Sequence, residues 1–367
     1  MELSETQKQT LTSELLDFNN QQACTEYEDF VKNHRAGSFM QSLRWCKVKN
    51  TWGHEALLVR RAGKVIGTML ILVKKVPLLH TSLLYAPRGP VCDLHDREVV
   101  AALLDAARGL SKKHHAYLLR IDPYVLAEDD AFIKMAQGLG LRFVPDMGDF
   151  TTIQTRNNYM LDIEHKTADE VFANFHSKWR YNIRLAAKNG VECRVCTKES
   201  IDDFYQLMVT TGKRDAFIVR PKEYFVKMLD ALGEHCRLFL CYHEGKAVSG
   251  AVTTQYAGKT CYVYGASSNE ARNVMPNHLM QWTMIQWAIE NGDFLYDFQG
   301  IPYYQDETNP HYGVYRFKKG FNGQVVSFAG EFDFVFSSTM ERLVGLGDRT
   351  IKGIRTVQRS LRKRVVE

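Results

Sequence analysis

A strand, turn, strand pattern that occurs twice constrains this 367-residue chain more than any other feature. The run Ala56-Leu57-Leu58-Val59-Arg60-Arg61-Ala62-Gly63-Lys64-Val65-Ile66-Gly67 reads as two strands joined at Gly63-Lys64, and residues 238–250 read the same way around Gly245-Lys246. Helical segments precede each copy, at 24–34 in the first half and at 200–211 and 221–232 in the second. Each copy then leads through a further strand to another helical pattern, 97–113 and 277–291. Two copies about 180 residues apart predict a duplicated α/β domain, and the length suits two domains. Turn formers crowd residues 145–159, so the boundary is expected near residue 150. Beyond Phe336 the pattern turns helical again over 337–346 and 352–366. Such a terminal helix cannot fold alone and must dock on one of the two domains.

Several function classes are excluded at once. The chain carries no GxGxxG after a strand, no GxxxxGK[ST], no HExxH and no GxSxG, which removes the commonest nicotinamide, phosphate-loop, zinc-hydrolase and serine-hydrolase readings. Cys193 and Cys196 form a CxxC, but on a strand positions three apart face opposite sides, so no metal site is expected. Eight cysteines scattered without a repeating spacing fit reduced thiols in a cytoplasmic protein. The N-terminus lacks a basic region followed by an apolar run, and the most apolar stretch, 65–73, is half of what a membrane helix needs.

The residues that carry chemistry are cationic and aromatic. Tyr315-Arg316-Phe317-Lys318-Lys319-Gly320-Phe321 places cations beside flat rings, a combination that holds a phosphate and a base together and points to a nucleotide-bearing substrate. Asp122 ends the buried strand 116–121, a frequent site position in α/β folds, and Asp297 after Phe294-Leu295-Tyr296 looks like its counterpart. Either one also reads as a simple turn cap. Arg220 and Tyr224 straddle Pro221 and would share one side of a helix start, where they can hold an anion. Arg180, Arg184 and Lys188 recur every four residues in a helix expected over 172–189 and form a basic ridge. Six cations and no acid between Lys352 and Arg364 give the tail the means to meet phosphates or anionic headgroups, the plain alternative being a solvated helix face.

In their order and spacing these segments, together with Phe39-Met40-Gln41-Ser42, Leu119-Arg120-Ile121-Asp122-Pro123, Arg180 to Val191, Tyr262-Val263-Tyr264-Gly265-Ala266-Ser267-Ser268 and Tyr296-Asp297-Phe298-Gln299-Gly300-Ile301, resemble the Fem transferase family. These are aminoacyl-tRNA-dependent peptidyltransferases that build side chains on peptidoglycan precursors. The resemblance implies an α/β (α+β) architecture of two tandem GNAT-like acyltransferase domains, with the last helix packing back on the first. Residues 1–150 with 335–367 would form the precursor side and 151–334 the aminoacyl-tRNA side. The chain is most similar to the compact members that lack a helical arm.

Residue by residue, the resemblance places Lys49, Asp122, Arg220, Tyr224 and a tyrosine of the 262–264 segment, Tyr264, at the precursor, and Lys318 with Phe317 at the tRNA acceptor end. Lys47 competes with Lys49, and Lys319 with Lys318. Lys49 and Arg220 would pair with a diphosphate, and Asp122 would orient the attacking side-chain amine. Lys318 would stabilise the tetrahedral centre. Arg180, Arg184, Lys188, Lys319, Lys352 and Arg355 are candidates for tRNA contact. The implied acceptor is UDP-MurNAc-pentapeptide or lipid II, acylated at the side-chain amine of peptide position 3, with Ala, Ser or Gly transferred. No cofactor is implied, peripheral membrane contact fits the tail, and a monomer is the simplest state. The competing classes are an acyl-CoA-dependent N-acyltransferase and a non-catalytic RNA- or membrane-surface binding protein.

Overall fold

The structure, a computed structural model, describes residues 11–144 and 152–346. Lys352, Arg355 and the helix expected over 352–366 lie outside the described residues, as do residues 145–151 of the expected boundary. In chain order the first half carries β1 (Leu11–Leu15), α1 (Gln21–Asn33), α2 (Arg44–Val48), β2 (Gly53–Arg61), β3 (Lys64–Val76), β4 (Thr81–Ala86), β5 (Val91–Cys92), α3 (Arg97–Lys113), β6 (Ala116–Ile121), α4 (Asp130–Gly138) and β7 (Arg142–Phe143). The second carries β8 (Asn157–Asp162), α5 (Ala168–Asn174), α6 (Ser177–Lys188), β9 (Glu192–Cys196), α7 (Ile201–Arg214), α8 (Lys222–Leu232), β10 (Cys236–His243), β11 (Lys246–Tyr256), β12 (Lys259–Ser267), α9 (Pro276–Glu290), β13 (Leu295–Gly300), α10 (Tyr312–Lys319) and β14 (Gln324–Ser327). β15 (Phe332–Val335) and a helix over 338–346, α11, follow.

Both predicted hairpins are present. β2 and β3 pair up to Arg61 with Lys64, and β10 and β11 up to His243 with Lys246. In each turn both central residues have positive φ, Ala62 and Gly63 in one and Glu244 and Gly245 in the other. This backbone matches the twist of two-residue hairpins, and glycine reaches it without steric cost. The hairpins sit in separate sheets, ordered β1-β2-β3-β4-β6-β15-β7 and β14-β8-β13-β12-β11-β10-β9. Each sheet contains a parallel pair joined by a crossover helix: β4 and β6 through α3, and β12 and β13 through α9.

The chain end returns to the first sheet. β15 runs antiparallel to β6 with Phe332 opposite Ile121, and Arg120 locks it by paired bonds of 2.7 and 2.8 Å to the buried Asp333 and 2.8 Å to the buried Glu331. Met340 and Val344 of α11 pack on Tyr117 and Leu118, so the last described helix lies on the first half.

One apolar core spans both halves. Tyr27, Val31, Trp45, Leu58, Leu70 and Leu72 pack in the same cluster as Phe204, Leu207, Phe225, Met228, Leu238 and Val252. Each such side chain contributes roughly 1.5–3 kcal/mol when removed from water, which fixes how the site residues of the two halves face each other.

The helix expected over 172–189 is broken. α5 ends at Asn174, Phe175 adopts an extended backbone, and α6 begins after His176. The break lets the fully buried Phe175 reach the rings of Trp282 and Phe321, which a continuous helix would prevent.

Candidate active site

The first part of the site is a cationic cluster built across the core. α2 is five residues long and Lys49 caps it, half-buried, while Lys47 on the helix itself points to solvent. Lys49 Nζ donates to the Tyr224 hydroxyl at 3.3 Å and lies 5.0 Å above the Trp45 ring. Pro221 starts α8, which holds Arg220 5.6 Å over the ring of Tyr224, one turn on. The Tyr224 ring meets Tyr264 of β12 edge-on at 6.1 Å. Lys49, Arg220, Tyr224 and Tyr264 therefore come together. Burial, and then the like charge of Arg220, pull Lys49 down to about 8. Burial, and then Tyr264, push Tyr224 well above its ordinary value, so it stays a neutral hydroxyl donor. Two crowded cations beside hydroxyl donors are relieved by a bound dianion.

The second part is a slot where a parallel pair opens. β12 and β13 pair only from Lys259–Leu295 to Cys261–Asp297, whereas β4 and β6 stay paired through Ala86–Ile121. Beyond Cys261 the strands part around a cavity of about 290 Å³ lined by Gln154, Thr155, Tyr262, Gln299, Gly300 and Lys318 among others. Two glycines keep it open: a Cβ on Gly265 would lie 1.6 Å from the Tyr262 hydroxyl oxygen, and one on Gly300 would lie 2.3 Å from Thr155 Cγ2.

Lys318 is buried, 5% exposed, and closes one wall of the slot. Its ammonium donates to the carbonyls of Phe298 (2.6 Å), Gln299 (3.1 Å) and Gly300 (2.7 Å). Burial draws its pKa down to about 7, and the nearby Asp297 opposes this. Three acceptors match the three N–H bonds of an ammonium and hold the charged form. Its neighbour Lys319 is exposed, 5.7 Å above the Tyr315 ring. Phe317 stands between the His278 ring at 5.2 Å and Phe321 at 5.5 Å, and its carbonyl accepts from Trp179 Nε1 at 3.0 Å.

Asp122 does not line the slot. It is 1% exposed, accepts from the Tyr85 hydroxyl at 2.6 Å and from the Arg88 backbone N–H at 2.5 Å, and burial raises it to about 6 against the lowering effect of Arg88. Tyr85 in turn accepts from Gln154 Nε2 at 3.2 Å, and Gln154 lines the slot. Asp122 and Lys318 thus flank the same cavity wall, one directly and one through two side chains. A parallel path runs from Arg88 to the Thr155 carbonyl (3.1 Å), from Thr155 Oγ1 to Asn158 (2.6 Å), and from Asn158 to Asp297 (3.0 Å). Sequence reasoning missed Tyr85, Arg88, Gln154 and Asn158. The one available signal was a polar Asn158 beside the apolar Tyr159-Met160-Leu161 of β8.

Of the basic ridge, Arg180 is spent inside the protein: its Nη1 donates to the Ala173 carbonyl at 2.8 Å and to that of Phe175, capping the end of α5. Arg184, exposed and 5.1 Å over the Phe172 ring, and the exposed Lys188 remain on the surface.

Two sheets, each with a parallel pair bridged by a helix, and one opened pair define the class: a tandem GNAT-like acyltransferase fold. A tandem GNAT protein from the clavulanic acid biosynthesis pathway superimposes with a TM-score of 0.53 at 11% identity, over 88% of this chain and 98% of its own, a likeness of fold alone. A crystal structure of FemX superimposes far better, with a TM-score of 0.83 at 28% identity over 90% of this chain and 99% of its own. The FemAB family model matches residues 22–247 and 241–343. The lipid II:glycine glycyltransferase of Staphylococcus aureus (strain USA300) is 30% identical over 393 residues, spanning 87% of this chain and 93% of the relative. The chain belongs to the FemAB family. That alignment is longer than the chain itself, so the relative carries inserted residues absent here, and among the described residues the longest helix is the 17-residue α3 rather than an extended arm. No described helix is long and apolar enough to cross a membrane.

Proposed function

We propose that this protein moves a small amino acid from aminoacyl-tRNA to the side-chain amine at position 3 of a peptidoglycan pentapeptide precursor. The observation that carries this is the placement of Tyr264 in the cationic cluster and Tyr262 in the slot, two residues apart on β12. One strand links an anion-binding surface to an opened acyl slot, which is what a two-substrate acyl transfer requires. The similarity to the lipid II:glycine glycyltransferase of Staphylococcus aureus favours glycine as the residue transferred and a lipid-linked acceptor over the UDP-linked one.

The first half with the chain end (1–150 and 335–367) would serve the precursor and the second (151–334) the charged tRNA. Lys49 and Arg220 hold the precursor diphosphate, with Tyr224 and Tyr264 donating hydroxyls. The terminal adenosine and its ester enter the slot beside Phe317. The peptide amine attacks the ester carbonyl, a C–N bond forms, the C–O bond to the ribose breaks, and the amine proton leaves for the departing ribose oxygen or water. Lys318 exchanges one of its carbonyl acceptors for the developing oxyanion, and donors so placed contribute roughly 3–4 kcal/mol. Asp122 acts through Tyr85 and Gln154 on the slot wall rather than by touching the amine. No covalent enzyme intermediate and no cofactor is needed, because the ester is already activated.

Arg184, Lys188 and Lys319, with Lys352 and Arg355 of the tail, carry the outer tRNA phosphates, Arg180 serving structure first. The tail also supplies any peripheral contact with anionic lipid, and the protein works as a monomer in the cytoplasm. Transfer of a radiolabelled amino acid from charged tRNA to precursor tests the reading; no transfer to either precursor form would reject it.

A further inference from the structure

The carbonyl cage around Lys318 is geometrically unusual, because successive carbonyls of a regular strand point to opposite sides and cannot meet on one cation. Here those of Phe298, Gln299 and Gly300 all reach the same ammonium. The strand achieves this by leaving the extended conformation at Gln299, whose φ is +62°, in a bulge between Asp297 and Gly300. A glutamine does not adopt that backbone without support. Asp297 supplies it. Its Oδ1 accepts the Gln299 backbone N–H at 2.7 Å and its Oδ2 accepts Gln299 Nε2 at 2.8 Å. Asn158 Nδ2 fixes the carboxylate in turn, 3.2 and 3.0 Å from the two oxygens. Asp297 is 1% exposed and has no access to substrate.

We propose that Asp297 is a positioning residue for Lys318: by clamping Gln299 in the left-handed conformation it builds the three-carbonyl cage that holds the ammonium at the slot wall. This rests on the reading of Lys318 as the donor to the transferring acyl group, and it goes beyond that reading by assigning a role to the bulge. The charge of Asp297 also favours the protonated lysine. The other groups around the pair are Arg88 and the buried Lys259, both of opposite sign to Asp297, the neutral Tyr262 and Cys261 on β12, the neutral Tyr124 and Tyr296, His278 against Phe317, and the exposed Arg316 and Lys319 on α10 itself.

The test uses the full chain with lysine Cε carbon-13 labelled, following the Lys318 resonance by NMR against pH, alongside transfer kinetics. In Asp297→Asn the Lys318 titration is expected to move to lower pH, and the alkaline limb of kcat to move down with it, while KM for the precursor stays within about twofold. Gln299→Val, whose branched side chain resists that backbone, should show a kcat at least about tenfold below that of Gln299→Gly, which adopts positive φ freely, with KM for the precursor alike in the two. An unmoved Lys318 titration in Asp297→Asn, or equal kcat in the two Gln299 variants, overturns the proposal. Should Asp297→Asn fail to fold, the Gln299 pair decides alone. If Lys318 titrates as expected but Lys318→Met transfers normally, the positioning stands and the donor role of Lys318 falls.

Discussion

Lys49 and Tyr224 meet across 3.3 Å although 175 residues separate them, joining the cap of α2 in the first half to α8 in the second. The contact exists because both elements pack on one shared core, and it brings two cations remote in sequence, Lys49 and Arg220, into one cluster.

That site predicts a split in kinetics. Arg220→Ala should raise KM for the precursor tenfold or more, about 1.4 kcal/mol or above, and leave kcat within about threefold, since the diphosphate is remote from the reacting bond. Lys47→Ala, on the exposed side of α2, should match the parent. Steady-state kinetics with the precursor varied checks both.

A pH dependence follows from Lys49. Its pKa of about 8 means the cation is present below that pH and lost above it. KM for the precursor should therefore rise as pH climbs through about 8 and beyond, with bound diphosphate shifting the limb upward. Lys49→Arg, which stays charged, should flatten the limb. KM measured from pH 7 to 10 reads the difference.

The two lysines of α10 should behave oppositely. Lys318→Met is expected to lower kcat by about 100- to 1,000-fold with precursor KM little changed, in line with loss of one charge-stabilising donor. Lys319→Met should keep kcat within a few-fold and weaken only tRNA affinity, more so at low salt. Single-turnover transfer and a salt series separate them.

Buried Asp122 makes a stability prediction. Asp122→Ala leaves the Tyr85 hydroxyl and the Arg88 N–H without their shared acceptor and should cost about 2–4 kcal/mol in a denaturant melt. Asp122→Asn keeps an acceptor for Arg88 and should cost less.

How much of this was legible in the sequence differs by feature. The hairpins were, because Gly63 and Gly245 follow a local rule that needs no tertiary information. Arg220 and Tyr224 were, because one helical turn across Pro221 brings them together locally. The break at Phe175 was not: the pull of an aromatic cluster formed with Trp282 and Phe321 is non-local and overrides helical periodicity. The burial of Asp122 beneath Tyr85 was hidden for a similar reason, since it depends on β4 staying paired with β6 while β12 and β13 part. Lys318 was visible as a cation in an aromatic run, but its three carbonyl partners arise from a backbone turn at Gln299 that no residue type announces.

The most direct measurement of the central claim incubates the purified chain with glycyl-, alanyl- or seryl-tRNA and with UDP-linked or lipid-linked pentapeptide precursor, and weighs the product. The account predicts that precursor gains the mass of one aminoacyl residue with at least one pairing, that charged tRNA is required, and that acyl-CoA does not substitute. No mass gain with any pairing, or acylation from acyl-CoA in its place, would contradict it.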